Sequence, residues 1–263
     1  MIHTFPGLTN HQPYYAKIFT LNPQGRINNR ADLPVLSAVP KPFPQKPADE
    51  DAYTLITEIT STQTYTAPED GWFLIEVHGA SGNGGNSGLS SASWYVREDE
   101  AGQTMYGYKT GGSGAGGSCS ASIVKLRSGD PIVITIGNVG EVTSAAITST
   151  AGESYELMRV NPSGSGTDAS VTANGSAGVA GTAYGGNLYK TTGSNGRFGT
   201  SGYAYSRDEL TVPLRTGGAA ATPNGNPGGS SSYILNGVRT PGEPGRPGKV
   251  RVLRGEGNLA ALG

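Results

Sequence analysis

Apolar and polar positions alternate with a period of two in a handful of short stretches, and each reads as a half-buried strand. Tyr53 to Thr60 and Gln63 to Ala67 are rich in β-branched and aromatic residues. Pro68 to Gly71 reads as a turn, and Trp72 to His78 follows as a strand. Ser120 to Leu126 and Pro131 to Ile136 flank the turn Arg127 to Asp130 and predict a hairpin. Lys249 to Leu253 closes the series, with weaker strand patterns at Tyr155 to Val160, Leu210 to Leu214 and Tyr233 to Val238. Helical periodicity is missing apart from a turn near Leu259. The expected fold class is all-β: a β-sandwich-like framework carrying glycine-rich excursions at about residues 79–118, 161–207 and 215–248. Ordinary loops have a median of about 4–6 residues, so excursions of this size should be structured, functional or both.

Within the excursions the glycines fall into phase at every third residue. The runs are Gly79, Gly82, Gly85 and Gly88; Gly111, Gly114 and Gly117; Gly175, Gly178 and Gly181; Gly193, Gly196, Gly199 and Gly202; and Gly242, Gly245 and Gly248, with a fragment at Gly225 and Gly228. Neither an α-helix nor a strand has this period. An extended helix of the polyproline/polyglycine-II kind does, with three residues per turn and about 3.1 Å per residue. Such a helix has no internal hydrogen bonds, so glycine on one edge would let neighbours pack backbone to backbone and satisfy each other's polar groups. Collagen shares the period but needs an unbroken triplet over long stretches, and these runs stop after three or four glycines.

Composition supports the need for such a device. Only 35% of residues are hydrophobic and 42 are glycine, whose ordering is entropically costly, so a conventional side-chain core is scarce. Residues 1–50 hold eight of the 17 prolines and little amphipathic pattern, and read as an extended anchoring arm, with residues 51–263 as the glycine-rich β domain. An arm without a core needs a surface to lie on, with Phe5, Tyr14, Tyr15, Phe19 and Phe43 as its anchoring residues. The formal charge of −1 and the missing basic block argue against a nucleic-acid partner. The single cysteine, Cys119, excludes an internal disulfide and a four-cysteine zinc site. No secretory leader is visible and no run of about 18 apolar residues suggests a membrane span. The combination suits a protein assembled inside a cell and released as part of a particle.

The chain offers little for catalysis. Gly112 to Gly117 satisfies G-x-G-x-x-G, but a strand-like segment follows where a phosphate-binding helix should begin. His3, His11 and His78 are far apart, so neither a metal nor a cofactor is expected. Glu98, Asp99 and Glu100 are adjacent in a loop rather than opposed across a cleft, as glycoside hydrolysis requires. The aromatic residues are more informative. Trp94, Tyr95, Tyr106, Tyr108, Tyr184, Tyr189, Phe198, Tyr203 and Tyr205 all fall inside or beside the excursions. Large amphipathic rings among Gly, Ser and Asn make a recognition surface, and rings also stack on sugar faces. Filling of gaps in a side-chain-poor interior is the competing role.

Three stretches together carry a resemblance. Tyr65 to Gly85, Gly111 to Gly117 leading into the strand pair that ends Ile134-Thr135-Ile136-Gly137, and Pro247 to Val252 resemble the glycine-rich domain of bacteriophage tail-fibre and other virion proteins. The similarity spans roughly residues 60–254 and leaves the arm uncovered. It implies a β-rich, non-enzymatic virion domain exposed on the particle and assembled in the host cytoplasm. Such a domain often sits at fibre tips, commonly as a homotrimer, where it binds a host glycan or outer-membrane protein. It is also similar to tail-fibre tip adhesins built on stacked polyglycine-II helices, from which it departs in shorter glycine runs and a larger β-framework. That departure leaves a second expectation, a capsid decoration or head-fibre protein held to the shell by its arm.

Overall fold

The computed structural model describes residues 13–16, 36–38, 43–87, 95–151 and 158–256, and divides into two compact units, Met1–Pro44 and Gln45–Gly263. In the first unit, strands β1 (Tyr14–Ala16) and β2 (Leu36–Ala38) pair antiparallel, with Tyr14 opposite Ala38. The stretch read as an extended arm thus contains a short antiparallel strand pair. Phe5, Phe19 and Leu259 lie outside the described residues.

The second unit contains two antiparallel five-stranded sheets. One has the order β13-β8-β5-β17-β3, formed by Tyr189–Thr191, Cys119–Leu126, Gly71–His78, Lys249–Gly255 and Tyr53–Ile59. The other has the order β12-β11-β10-β9-β4, formed by Ala183–Tyr184, Met158–Val160, Thr143–Ile147, Pro131–Thr135 and Gln63–Thr66. Strict alternation along β5 sends Phe73, Ile75 and Val77 into one core with Val124, Leu126, Ile132, Ile134, Met158, Val160, Val250 and Val252. The intervening Leu74 packs on the opposite face with Tyr53, Ile123 and Leu253. Asp130 closes the β8–β9 turn, its carboxylate accepting from the Arg127 and Thr150 amides at 2.8 and 3.0 Å. Among the described residues there is no α-helix.

The chain leaves these sheets as extended segments that belong to no strand: 79–87, 110–118, 161–169, 174–182, 192–200, 215–222, 225–232 and 241–248. Their backbones are bonded to one another. Segment 110–118 lies at the centre and exchanges hydrogen bonds with six neighbours. Its N–H groups turn to three of them in rotation: Gly112 to Thr167, Ser113 to Arg197, Gly114 to Gly229, then Ala115 to Gly164, Gly116 to Ser194 and Gly117 to Asn226. Its carbonyls serve the other three, accepting from Gly85 and Gly82, from Gly175 and Gly178, and from Gly218 and Ala221.

The six neighbours close a ring. Gly166 donates to Asn83, Gly164 to Val179, Gly196 to Gly178, Ser194 to Ala219, Gly228 to Gly218 and Gly229 to Gly82. Every residue from Thr110 to Ser118 is buried, and each is Gly, Ala, Ser or Thr, because no direction is open to a larger side chain. A Cβ on Gly114 would overlap the Gly82 carbonyl, and one on Gly82 the Gly164 carbonyl.

Segment 241–248 sits outside the ring against 79–87 and 225–232. Its amides are all engaged: Gly242 and Gly245 with the side chains of Asn86 and Asn83, Arg246 with Ser81, Glu243 with Ser230 and Gly248 with Gly137. The remaining positions, Pro241, Pro244 and Pro247, have no N–H and are exposed.

Candidate functional site

The segments have two ends. At the base they run into the five-stranded sheets, through β5, β8, β13 and β17. At the other end stands a cap. It holds the three-stranded sheet β14-β7-β6, formed by Ser201–Ala204, Thr104–Lys109 and Tyr95–Glu98, and the hairpin β15–β16, formed by Tyr233–Leu235 and Val238–Thr240. The cap has its own small core of Tyr108, Leu210, Val212 and Ile234. Leu210 to Leu214, expected as a strand, makes a single bridge from Val212 to Ile234. Tyr233 to Val238 contains the hairpin turn, where Asn236 (φ 48°) and Gly237 (φ 73°) take the left-handed conformations of a tight two-residue connection.

Several expected recognition residues gather on this cap. Tyr203 and Tyr205 are 45% and 57% exposed. The Arg97 guanidinium lies 4.9 Å over the Tyr203 ring, and that of Arg207 lies 5.0 Å over Tyr106. Asp99 fixes the loop beside them, accepting from the amides of Ala101 and Gln103 and from the Tyr205 hydroxyl at 3.0, 2.8 and 2.9 Å. Hydrogen bonds from Gln103 and Tyr205 hold its carboxyl below the usual range, and the same contact raises Tyr205. Tyr95 enters through its backbone, opposite Gly107. Phe198, on segment 192–200 near the cap, is 69% exposed. Trp94 lies outside the described residues.

The other candidate rings lie elsewhere. Tyr108 is 3% exposed, with its hydroxyl 2.6 Å from Ser87 Oγ, so it belongs to the cap core and cannot offer a contact surface. Tyr184, 46% exposed, and Tyr189 lie on strands of the base rather than on the cap. The Arg159 guanidinium stacks 5.1 Å over Tyr184, and the Tyr189 hydroxyl donates to Glu76 at 2.5 Å. The local sequence placed all nine aromatics beside excursions, but strand register separated them. Arg97 and Arg207 carried no sequence signal, and Asp99 stood out only as part of an acidic triplet, because their pairing with Tyr203, Tyr106 and Tyr205 depends on contacts 100 or so residues apart.

The base holds a buried polar network. Glu76 accepts from Arg251 at 2.6 Å, and His78 Nε2 stands 3.6 Å from the same oxygen, beyond hydrogen-bond reach. Burial would raise the Glu76 carboxyl, but His78, Tyr189 and Arg251 outweigh it and hold it at about 2. Burial also pushes the Cys119 thiol up to about 12, far from a reactive thiolate. Among the described residues no group of three His, Cys, Asp or Glu side chains could hold a metal ion. The G-x-G-x-x-G stretch lies in the central segment, with the amides of 112–117 engaged by carbonyls of the chain itself. No helix among the described residues is long and apolar enough to cross a membrane. The chain matches no family model and no curated protein.

Proposed function

We propose that this protein is a bacteriophage virion component, a tail-fibre or tail-tip subunit that binds the bacterial surface by recognition without chemistry. In this reading the extended segments are polyglycine-II helices and the two five-stranded sheets form a β-sandwich. Residues 1–50 attach the domain to other virion proteins, with three copies at a fibre tip. The observation that carries the reading is the caged central segment, whose amides turn through three neighbours in rotation as a threefold extended helix requires. A scaffold fixed by backbone contacts carries the exposed tyrosines of the cap at the end away from the base. The locked Glu76 network and the suppressed Cys119 thiol supply no poised nucleophile or acid–base pair, which favours binding over catalysis.

The test is adsorption. Phage carrying Tyr203→Ala with Tyr205→Ala should assemble in normal yield and lose attachment to host cells, and purified protein should compete with wild-type phage for those cells. Normal attachment by the double variant, with the protein located on the head by immunogold labelling, would replace this reading with a capsid decoration or head-fibre protein.

A further inference from the structure

The array of extended segments has an unfilled position. Segment 241–248 occupies the outer groove between 79–87 and 225–232, with its glycines turned inward: a Cβ on Gly242 or Gly245 would overlap the carbonyls of Gly84 or Ser81. The next outer groove round the ring runs between 215–222 and 225–232, which are joined by the bond from Gly228 to Gly218. Among the described residues no segment fills it. Two hollows follow one another along it, one of about 550 Å³ lined by Thr216, Gly217, Gly228 and Pro244, the other of about 470 Å³ lined by Ala219, Ala220, Gly225 and Pro227.

Bookkeeping of the backbone shows what the groove offers. In 215–222 the amides of Gly218 and Ala221 go to the central segment, the carbonyls of Arg215 and Gly218 accept from Ser231 and Gly228, and that of Ala219 accepts from Ser194. Gly217 and Ala220 remain. Among the described residues neither of their amides has an acceptor, and the carbonyls of Gly225 and Gly228 across the groove have no donor. The two amides stand three residues apart on an extended chain, about 9.3 Å at 3.1 Å per residue. A β-strand presents carbonyls to one side at every second residue, about 6.7 Å apart, and falls out of step with them. A second threefold extended chain presents one at every third residue and stays in register. Backbones this close admit only glycine where they touch, as 241–248 shows.

We propose that the groove between 215–222 and 225–232 binds an extended segment of a partner protein, with glycine at every third residue and proline among the others, seated as 241–248 is seated beside it. Carbonyls of the guest accept from the Gly217 and Ala220 amides, and amides of the guest donate to the Gly225 and Gly228 carbonyls. This is a site for attachment to a protein and is independent of host recognition by the cap. The test titrates the isotopically labelled full chain with the capped peptide Pro-Gly-Glu-Pro-Gly-Arg-Pro-Gly, the sequence of 241–248, and with its counterpart Pro-Ala-Glu-Pro-Ala-Arg-Pro-Ala. The glycine peptide should shift the amide resonances of Gly217 and Ala220 and slow their solvent exchange at least tenfold, and the alanine peptide should bind at least tenfold more weakly. Ala219 is exposed, so Ala219→Phe should obstruct the groove and abolish binding with an unchanged unfolding midpoint; Thr216→Trp, also at an exposed position, repeats the test if that variant fails to fold. Tyr203→Ala should bind the peptide as the unaltered chain does. No binding, equal binding of the two peptides, or binding that leaves Gly217 and Ala220 unshifted overturns the proposal. Protection of both amides in the chain alone, lost on dilution, would show a second copy in the groove and overturns it too.

Discussion

The base and the glycine segments solve the same problem with opposite means. At the base, Phe73, Ile75, Val77 and their neighbours bury apolar side chains between sheets, and the backbone pairs only within each sheet. In the segments the side chains are almost gone, and the backbone pairs in every direction around 110–118. The difference teaches where each region is tolerant. A side-chain core accepts substitutions that preserve volume. At its close-contact glycines a backbone core accepts nothing larger than the hydrogen it was built around, although an outward-facing position on its rim is nearly free.

Four substitutions would break or sharpen that contrast. Gly114→Val should have the largest effect, since its side chain would collide with the Gly82 carbonyl and no rotamer can relieve a backbone clash. The variant should fail to fold, read as insoluble expression or loss of a cooperative thermal transition. Phe73→Ala removes a fully buried ring and should cost about 3–5 kcal/mol in denaturant unfolding while leaving a folded protein. If it proved as damaging as the glycine change, the base and the segments would not differ in kind.

Glu76 comes next. Its folded pKa of about 2 lies below the ordinary 4.5, so its stabilisation is present above pH 4.5 and is lost as pH falls through 2. The loss should amount to roughly 3 kcal/mol. Glu76→Gln should flatten that part of the stability–pH curve, and an unchanged acid limb would show that other carboxyls control it. Ser163 tests the segments more gently. Its hydroxyl donates to the Gly116 carbonyl at 2.7 Å and accepts from the Gly181 amide at 3.0 Å, so Ser163→Ala leaves two buried groups unpaired. A cost of about 1–3 kcal/mol is expected from thermal or denaturant unfolding, and a neutral result would mean that water replaces the hydroxyl.

Much of this was legible in the sequence, for local reasons. Trp72 to His78 announced itself by alternation, and Gly79 to Gly85, Gly193 to Gly199 and Gly242 to Gly248 lie outside the strands and bond to neighbouring segments, whereas Gly202, the last of the Gly193 run, falls within β14, and Gly88 lies outside the described residues. Segments 161–169 and 215–222 fell within the expected excursions but carried no period-three glycine run, because a ring segment needs small residues only where it meets the centre. There Gly166 approaches Gly112, and Gly218 approaches the Gly116 amide. Elsewhere Pro162, Thr167, Asp168, Arg215 and Thr216 face outward or bond to neighbours and blur the period. The short strands Ala183–Tyr184 and Tyr189–Thr191 exist only through partners far along the chain, Met158–Val160 and Cys119–Leu126. The recognition surface was half legible. The aromatic residues stood out, but whether a ring reaches solvent, as Tyr203 does, or becomes core, as Tyr108 does, is decided by which face of β7 or β14 it occupies.

The prolines of segment 241–248 have a consequence for growth. An array in which each chain bonds to six neighbours is a small crystal, and nothing in its repeat says where it should stop; further extended chains could accrete onto any rim that still offers amides. Pro241, Pro244 and Pro247 terminate one rim by leaving it no donor to offer, much as charges and prolines blunt the edges of β-sheets. On that side the crystal has been given a finished facet, which keeps eight segments from recruiting a ninth there.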